Sequence, residues 1–214
     1  MRLHTLAGSR YGSRCAIQIA AKGLPIAIEY VPYPIPASFA AINPLMLVPA
    51  LDTGTEIFAE ASVICEYLED IVPEPSLRPE DSAARAQMRY LIRLFEIHFD
   101  PFLLRLYGLR RRGEREQAEI ETCLAAMHKA LERIAETLEG PRYALGGRLT
   151  LADCALMPPF QQTRIFLPDL GLPDPVQDYP AILRWFDATR EDPHVAPVLD
   201  EMVASLSGAM ARWR

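Results

Sequence analysis

The chain has 214 residues, of which 50% are hydrophobic and 23% are charged, and its formal net charge is −6. This length suffices for one large domain or for two small domains with separate cores. The negative charge argues against a general nucleic-acid binder, which normally carries a basic face. No segment reaches the roughly 18 consecutive apolar residues of a membrane-spanning helix, and the first residues lack a secretion signal. We therefore expect a cytoplasmic protein that binds neither nucleic acid nor a membrane.

The cysteines and histidines are too dispersed to predict a metal site. The four cysteines are Cys15, Cys65, Cys123 and Cys154. They form no CxxC pair, and three of them lie among apolar neighbours on predicted helices, where a free cysteine acts as a small hydrophobic residue. One basic run, at 110–112, is followed closely by Glu114 and Glu116. It is either a solvated helix end or an anion site near a second substrate.

The first 75 residues alternate between strand-like and helix-like patterns. They predict strands at 2–6 and 26–31 with a helix at 13–22 between them, a helical turn at 37–41, hairpin strands at 50–52 and 56–58, and a helix at 61–71. The helices follow from apolar residues at helical spacing, and the hairpin from the turn Thr53-Gly54-Thr55. The opening strand-helix-strand order implies a parallel pair with a right-handed crossover. We therefore predict an α/β domain with a small, mixed four-stranded sheet.

A proline-rich connector follows at 72–79, and beyond it the patterns become helical. They predict helices at 81–107, 114–138, 180–190 and 195–205. Another helix opens at Thr150, whose hydroxyl can cap it while Asp153 reaches back to the Thr150 backbone. This spacing assigns Asp153 to a structural cap rather than to acid catalysis. The second part of the chain is therefore expected to be all-α.

Two segments resemble the cytosolic glutathione S-transferase family. The first combines Asn43-Pro44, a Val48-Pro49 turn and the run AEASVICEYLED at 59–70. The second, LTLADCAL at 149–156, is similar to the capping box that opens a buried helix in that family. The resemblance covers nearly the whole chain, and the class it resembles most is the zeta-like one, the maleylacetoacetate and maleylpyruvate isomerases. It implies a thioredoxin-like domain at 1–75, a linker at 76–82 and an all-helical domain at 83–214.

The resemblance also implies glutathione as a co-substrate and no metal. The chemistry needs a lowered thiol pKa, because the thiolate is the nucleophile, and a hydrogen-bond donor at a helix N-terminus favours that anion. Ser9 falls on the catalytic serine of the zeta-like class, although a helix cap is the alternative role. Tyr11 stands where that class has a cysteine, and could line the electrophile site or donate to the sulfur. Arg10 could attract an acidic substrate or be solvated, and Ser13 is expected to cap the first helix.

The glutathione-binding residues that the resemblance implies are Val48, Pro49, Glu60, Ala61 and Ser62. In this family the peptide bond before the proline is cis and turns the Val48 backbone toward the cysteine amide of glutathione. Glu60 and Ala61 align with the pair that holds the γ-glutamyl group, whose carboxylate can bind backbone N–H groups. The usual serine is Ala61 here, so either Ser62 replaces it or only the backbone N–H remains. Losing one charge-assisted hydrogen bond costs about 1.5–3 kcal/mol.

Three functions remain open. The motifs favour a transferase that attaches glutathione to a small, mostly apolar electrophile. The second function is cis-trans isomerisation of a maleyl-type dicarboxylate, in which glutathione adds, the bond rotates and the thiol leaves. For this reaction the zeta-like class has an arginine that aligns with Ile165, and the adjacent Arg164 is rotated from that direction by about 100°. The third function is a non-catalytic binding module. The resemblance further implies a homodimer.

Overall fold

The structure, a computed structural model, describes the backbone of residues 1–112 and 116–213 and the side chains of residues 1–109 and 116–207. The side chains of the basic run at 110–112 and the following Glu114 lie outside the described residues. The chain forms two compact units, one of Met1–Arg78 with Arg190–Arg214 and one of Pro79–Thr189. The last helix therefore groups with the first unit, whereas the sequence predicts it as part of the helical domain.

The first unit is built on a mixed four-stranded sheet, as the sequence predicts. Its strands are β1 (Arg2–Thr5), β2 (Ala27–Tyr30), β3 (Ala50–Asp52) and β4 (Ile57–Ala59), in the spatial order β2-β1-β3-β4. β1 pairs parallel with β2, and β3 is antiparallel to both β1 and β4. Leu3 and Leu51 pair across β1 and β3 and are fully buried, which places the core of this unit on the sheet.

The helices account for the rest of the described fold. They are α1 (Arg10–Ala21), α2 (Ala61–Ile71), α3 (Ser82–His98), α4 (Asp100–Arg112), α5 (Gln117–Thr137), α6 (Leu151–Asp169), α7 (Pro180–Arg190) and α8 (Ala196–Trp213). A 3-10 turn at Ala37–Ala41 lies where a helical turn is predicted, and α2 has the predicted bounds. α1, α2 and α8 belong to the first unit, and α3 to α6 form the second with nearly all of α7.

The start of α1 differs from the prediction, and Ser13 does not cap it. Ser9 is the N-cap, and its hydroxyl accepts a hydrogen bond from the Gly12 N–H at 3.2 Å. Ser13 lies inside the first turn, where its N–H donates to the Ser9 carbonyl at 2.8 Å. Glycine is normally unfavourable inside a helix, so Gly12 leads the sequence to predict a turn at this point. At this position, however, packing requires glycine.

Gly12 allows α1 to approach the end of β1 closely. A Cβ atom at this position would lie 1.8 Å from Thr5 Oγ1 and 2.8 Å from Thr5 Cβ. Both are far inside van der Waals contact, and Thr5 is itself only 3% exposed. The missing side chain therefore sets the distance between helix and strand.

The predicted helix at 81–107 is in fact two helices, α3 and α4, separated at Phe99. The Phe99 N–H still donates to the Phe95 carbonyl at 3.1 Å. Pro101 follows in the first turn of α4, where its missing N–H can be tolerated, whereas inside one continuous helix it would break the hydrogen-bond ladder. The Phe99 ring is fully buried beside Phe160, with 5.6 Å between ring centroids. The break thus directs a large aromatic side chain into the core of the second unit.

The position of Asp153 confirms its structural role. Its fully buried carboxylate accepts hydrogen bonds from the Ala144 N–H at 2.7 Å, and from the Thr150 N–H, the Thr150 hydroxyl and the Trp185 indole N–H at 2.8 Å each. Burial raises the pKa of the Asp153 carboxyl, and these donors act against that rise. One carboxylate thus joins the loop before α6, the start of α6 and α7.

A buried charge cluster holds α1, α2 and the connector together in the first unit. Glu69 of α2 is 2% exposed, and one of its carboxylate oxygens lies 3.0 Å from both Lys22 Nζ and Gln18 Nε2 of α1. The other oxygen accepts hydrogen bonds from the Leu77 N–H at 3.0 Å and the Ser76 hydroxyl at 3.2 Å. Arg78 Nε also lies 3.7 Å from this second oxygen. The Glu69 charge is therefore buried against two opposite charges and three further donors, which offsets its desolvation.

We expect Glu69→Ala to lower the free energy of unfolding by about 3–5 kcal/mol, because it leaves the Lys22 charge buried without its partner. Urea unfolding of the full chain measures this change. Asp70→Ala is the matched control, because Asp70 is the next residue on α2 but is exposed, where it pairs with Arg78. This substitution should change stability by less than about 1 kcal/mol. Equal effects of the two substitutions would contradict a structural role for the cluster.

We expect Gly12→Ala to destabilise the protein by about 1–3 kcal/mol, because the added methyl group overlaps Thr5 and must push α1 away from β1. Thermal or urea unfolding measures the loss. Gly147→Ala serves as the control, because a Cβ atom there would meet nothing within 4 Å and should change stability by no more than about 0.5 kcal/mol. A Gly12→Ala variant as stable as this control would show that α1 can move at no cost.

Candidate functional site

The strand register brings three chain segments to one edge of the sheet. His4 of β1 pairs with Ala50 of β3, and Ala50 also pairs with Ala59 of β4. The segments that follow β1, precede β3 and follow β4 therefore lie side by side. In that order, they carry Ser9, Val48 with Pro49, and Glu60 with Ala61 and Ser62. The structure thus brings together Ser9 and the glutathione-binding residues that the resemblance implies.

The N-termini of α1 and α2 both lie at this edge of the sheet. Successive contacts join Cys15 to Ala61, Gln18 to Cys65 and Lys22 to Glu69. Because the residue numbers rise together in these pairs, α1 and α2 run in the same direction. A helix N-terminus carries a partial positive charge and N–H groups without intrahelical acceptors. Two such ends at one edge of a sheet suit an anionic ligand.

Ser9 lies at the start of α1 and is half-buried. Its hydroxyl oxygen accepts the Gly12 N–H, which makes it the helix cap. A serine hydroxyl can accept such a bond and donate its own proton at the same time. Capping therefore does not compete with donation to a thiolate. It fixes the position of the oxygen instead.

The peptide bond between Val48 and Pro49 is cis, as it is in the family that the sequence resembles. Asn43 organises the loop before it, and its side chain is 4% exposed. The Asn43 amide group donates to the Leu47 carbonyl at 2.8 Å, and its oxygen accepts the Leu45 N–H at 3.1 Å. This role of Asn43 is not among those predicted from the sequence. The signal for it is the known tendency of asparagine to bond the backbone two residues on.

Glu60 has an unusual backbone conformation at the start of α2. Its φ is 68° and its ψ is 117°, a region that costs a non-glycine residue about 1–3 kcal/mol and that is found most often at binding sites. Its side chain forms no capping hydrogen bond with α2 and is exposed. Ala61 is 5% exposed at the first position of the helix, and Ser62 is half-buried at the second.

Arg10 and Tyr11 occupy the first turn of α1, directly after Ser9. Both are half-buried, and the Arg10 guanidinium carbon lies 5.1 Å from the centre of the Tyr11 ring. Such stacking orients the guanidinium group of an arginine. The first turn of α1 therefore brings a cation and a phenol next to the Ser9 hydroxyl.

Arg164, in the second unit, is held by other residues of that unit. Arg164 Nη1 lies 3.4 Å from Asp187 Oδ1, and Arg164 Nε lies 4.0 Å from Asp174 Oδ2. The guanidinium carbon of Arg164 lies 4.9 Å from the centre of the Phe186 ring. These contacts give Arg164 a structural role on α6. The neighbouring Ile165 is half-buried, and the two residues differ in direction by about 100°.

Among the residues that the structure describes, no group of three or more histidine, cysteine, aspartate or glutamate side chains could hold a metal ion. Nor is any helix in the described part of the chain both long enough and apolar enough to cross a bilayer.

Comparison with known proteins agrees with this geometry. Residues 3–76 match the family model for the glutathione S-transferase N-terminal domain, and residues 84–193 match the model for the C-terminal domain. A maleylpyruvate isomerase from Ralstonia sp is 33% identical over 79% of this chain and 85% of its own length.

Two solved structures are also similar. One is a holo maleylpyruvate isomerase described as a bacterial zeta-class glutathione S-transferase, with 27% identity, a TM-score of 0.78, and coverage of 92% of this chain and 96% of that one. The other, from Methylobacterium radiotolerans, is a glutathione S-transferase in complex with glutathione sulfonate, with 25% identity, a TM-score of 0.79, and coverage of 92% and 93%. With both domain models matched in order, the chain belongs to the glutathione S-transferase family.

Proposed function

We propose that this protein is a glutathione-dependent cis-trans isomerase that acts on a maleyl-type dicarboxylate. The motifs by themselves favour a general transferase, but the similarity to maleylpyruvate isomerases favours the isomerase. The observation that carries the glutathione chemistry is the meeting of Ser9, Val48-Pro49 and the start of α2 at one sheet edge.

Ser9 stabilises the thiolate in this proposal. Glutathione supplies the sulfur nucleophile that adds to the conjugated double bond and leaves it after rotation. The Ser9 hydroxyl, fixed by its bond to the Gly12 N–H, donates its proton to that sulfur. The partial positive charge at the α1 N-terminus adds to the stabilisation. Both effects favour the anion over the thiol and lower the pKa of the bound thiol.

The rest of the sheet edge holds the tripeptide. The Val48 backbone pairs with the cysteine amide of glutathione, and the N-terminus of α2 receives the γ-glutamyl carboxylate. The exposed Glu60 carboxylate is placed to bind the γ-glutamyl amino group. At the next position Ala61 has no hydroxyl, so the carboxylate depends on backbone N–H groups and on the half-buried Ser62.

Arg10 is the residue to which we assign a substrate carboxylate. It follows Ser9 directly and stacks on Tyr11, so that a carboxylate bound to it would lie next to the reacting sulfur. Arg164 pairs with Asp187 and Asp174, and it stands one residue before the position at which the zeta-like class has its arginine.

A second candidate function is conjugation of glutathione to an apolar electrophile. It is favoured by Ile165, an apolar residue at the position where the zeta-like class has an arginine, and by the Tyr11 phenol beside the site. Both reactions need the same activated thiolate, so they share Ser9 and differ in how the second substrate is bound. We propose for either function a cytoplasmic homodimer that binds no nucleic acid and no metal.

We expect Ser9→Gly to keep glutathione binding and to raise the pKa of the bound thiol by about 1–2, because one hydrogen bond to the thiolate is lost. Glycine is a tolerable helix cap that costs only a few tenths of a kcal/mol, so the variant separates catalysis from capping. Calorimetric titration and the pH dependence of thiolate absorbance measure the two effects.

Ser13→Ala is the control for this experiment, since Ser13 lies one turn further along α1 and should leave the thiol pKa unchanged. An unchanged thiol pKa in Ser9→Gly would limit Ser9 to capping. No binding of glutathione by the wild type at millimolar concentration would favour the non-catalytic binding module.

We expect the protein to isomerise maleylpyruvate in the presence of glutathione, and Arg10→Ala to raise its KM by about tenfold to a hundredfold, the effect of one lost charge-assisted hydrogen bond. Steady-state assays measure KM, with Arg133→Ala as an exposed-arginine control. Arg10→Ala should conjugate chlorodinitrobenzene, which has no carboxylate, at the wild-type rate. Conjugation without any isomerisation would select the second candidate function.

A further inference from the structure

Two buried thiols face each other between α1 and α2. Cys15 and Cys65 are both fully buried, and their Sγ atoms lie 3.9 Å apart. The Cys15 thiol also lies 3.9 Å from the Ala61 carbonyl oxygen at the first residue of α2. Neither cysteine is in a disulfide, and the proposed glutathione chemistry uses neither of them.

The distance between the two sulfur atoms is short enough for a disulfide after a small movement. A disulfide has an S–S length of about 2 Å, so the sulfurs must approach by roughly a further 2 Å. The helices that carry them are adjacent and parallel, as the contacts between Gln18 and Cys65 and between Lys22 and Glu69 show. A shift of that size between two packed helices is available to a folded protein.

The surroundings of the pair favour the thiolate form of Cys65. The hydrogen bond with Cys15 and the charge of Arg14 lower the pKa of the Cys65 thiol, against the effect of burial. The Arg14 side chain is itself 2% exposed. A thiolate is the form that reacts with peroxide. By contrast, burial raises the pKa of the Cys123 thiol in the second unit.

We propose that Cys15 and Cys65 are a reversible redox pair, oxidised by hydrogen peroxide to a disulfide that weakens glutathione binding. The Cys65 thiolate attacks one peroxide oxygen, which gives a sulfenic acid and, with one proton, one water. The Cys15 sulfur then attacks the sulfenic sulfur, forms the S–S bond and releases a second water. Two glutathione molecules reverse the change, reducing the disulfide to two thiols while one glutathione disulfide forms.

The coupling to the binding site follows from where the two helices begin. Ser9 caps α1 six residues before Cys15, and Ala61 opens α2 four residues before Cys65. Drawing the two sulfurs together moves α2 relative to α1, so the N-terminal ends of the helices no longer hold their original spacing. A ligand that bonds to both ends then loses at least one hydrogen bond.

The test begins with a count of thiols. After treatment with hydrogen peroxide and unfolding in denaturant, the wild type should lose two of its four reactive thiols, and peptide mapping should find Cys15 joined to Cys65. Cys65→Ala should keep its three thiols, and Cys15→Ala should lose at most the Cys65 thiol, to a sulfenic acid, and form no cross-link. Cys123→Ala and Cys154→Ala are matched controls, because both residues are also buried, and they should still form the cross-link. Four remaining thiols, or a cross-link through another cysteine, would overturn the redox pair.

The second measurement is the Kd of glutathione sulfonate, which has no thiol and cannot reduce the disulfide. Oxidation should raise this Kd about tenfold in the wild type, the effect of one hydrogen bond, and leave it unchanged in Cys65→Ala. Dithiothreitol should restore the original value. An oxidised wild type with unchanged Kd would overturn the coupling. If the reduced protein does not bind the sulfonate at all, the proposed function and the coupling both fail, while the thiol count still decides the redox pair.

Discussion

The buried carboxylate of Glu69 is the interaction on which the geometry of the first unit depends. It pairs with Lys22 and Gln18 near the C-terminal end of α1, and it accepts hydrogen bonds from the connector at Ser76 and Leu77. Because an unpaired charge in this position is strongly unfavourable, the end of α1 that carries Lys22 cannot slide along α2 without a large loss of stability. Their direction and offset are therefore set far from the edge where their N-termini meet.

The close approach at Gly12 completes this arrangement at the other end of α1. Thr5 contacts the helix backbone there, and Ser9 follows Thr5 by only four residues, so little freedom remains in the turn that carries the cap. The binding edge is thus constrained from two directions, by a charge cluster behind it and by a helix-strand contact beside it. A site that must hold a hydroxyl against a sulfur atom gains from this rigidity, because small displacements weaken charge-assisted hydrogen bonds.

Much of the fold could be predicted from the sequence, since α2, the hairpin and the mixed sheet follow from periodicity and turn residues that agree with their tertiary surroundings. A helix cap was only the alternative role for Ser9, and the helix was predicted to start at Ser13, because glycine at position 12 indicates a turn unless Thr5 is known to lie against it. The break at Phe99 was missed for a related reason, as apolar spacing continues through it and only Pro101 marks it. Site residues selected by motif do lie together, but the roles of Asn43 and Arg164 depend on contacts with distant partners that no local pattern records.

The four hydrogen bonds of Asp153 also bear on how this chain can change over evolution. Ala144 contributes its backbone N–H to that carboxylate, and its methyl group is fully buried. The number of residues between Ala144 and Thr150 is constrained as well, because an insertion or a deletion there would move one donor away from its acceptor. The loop before α6 should therefore keep both a small residue at position 144 and a constant length among related sequences.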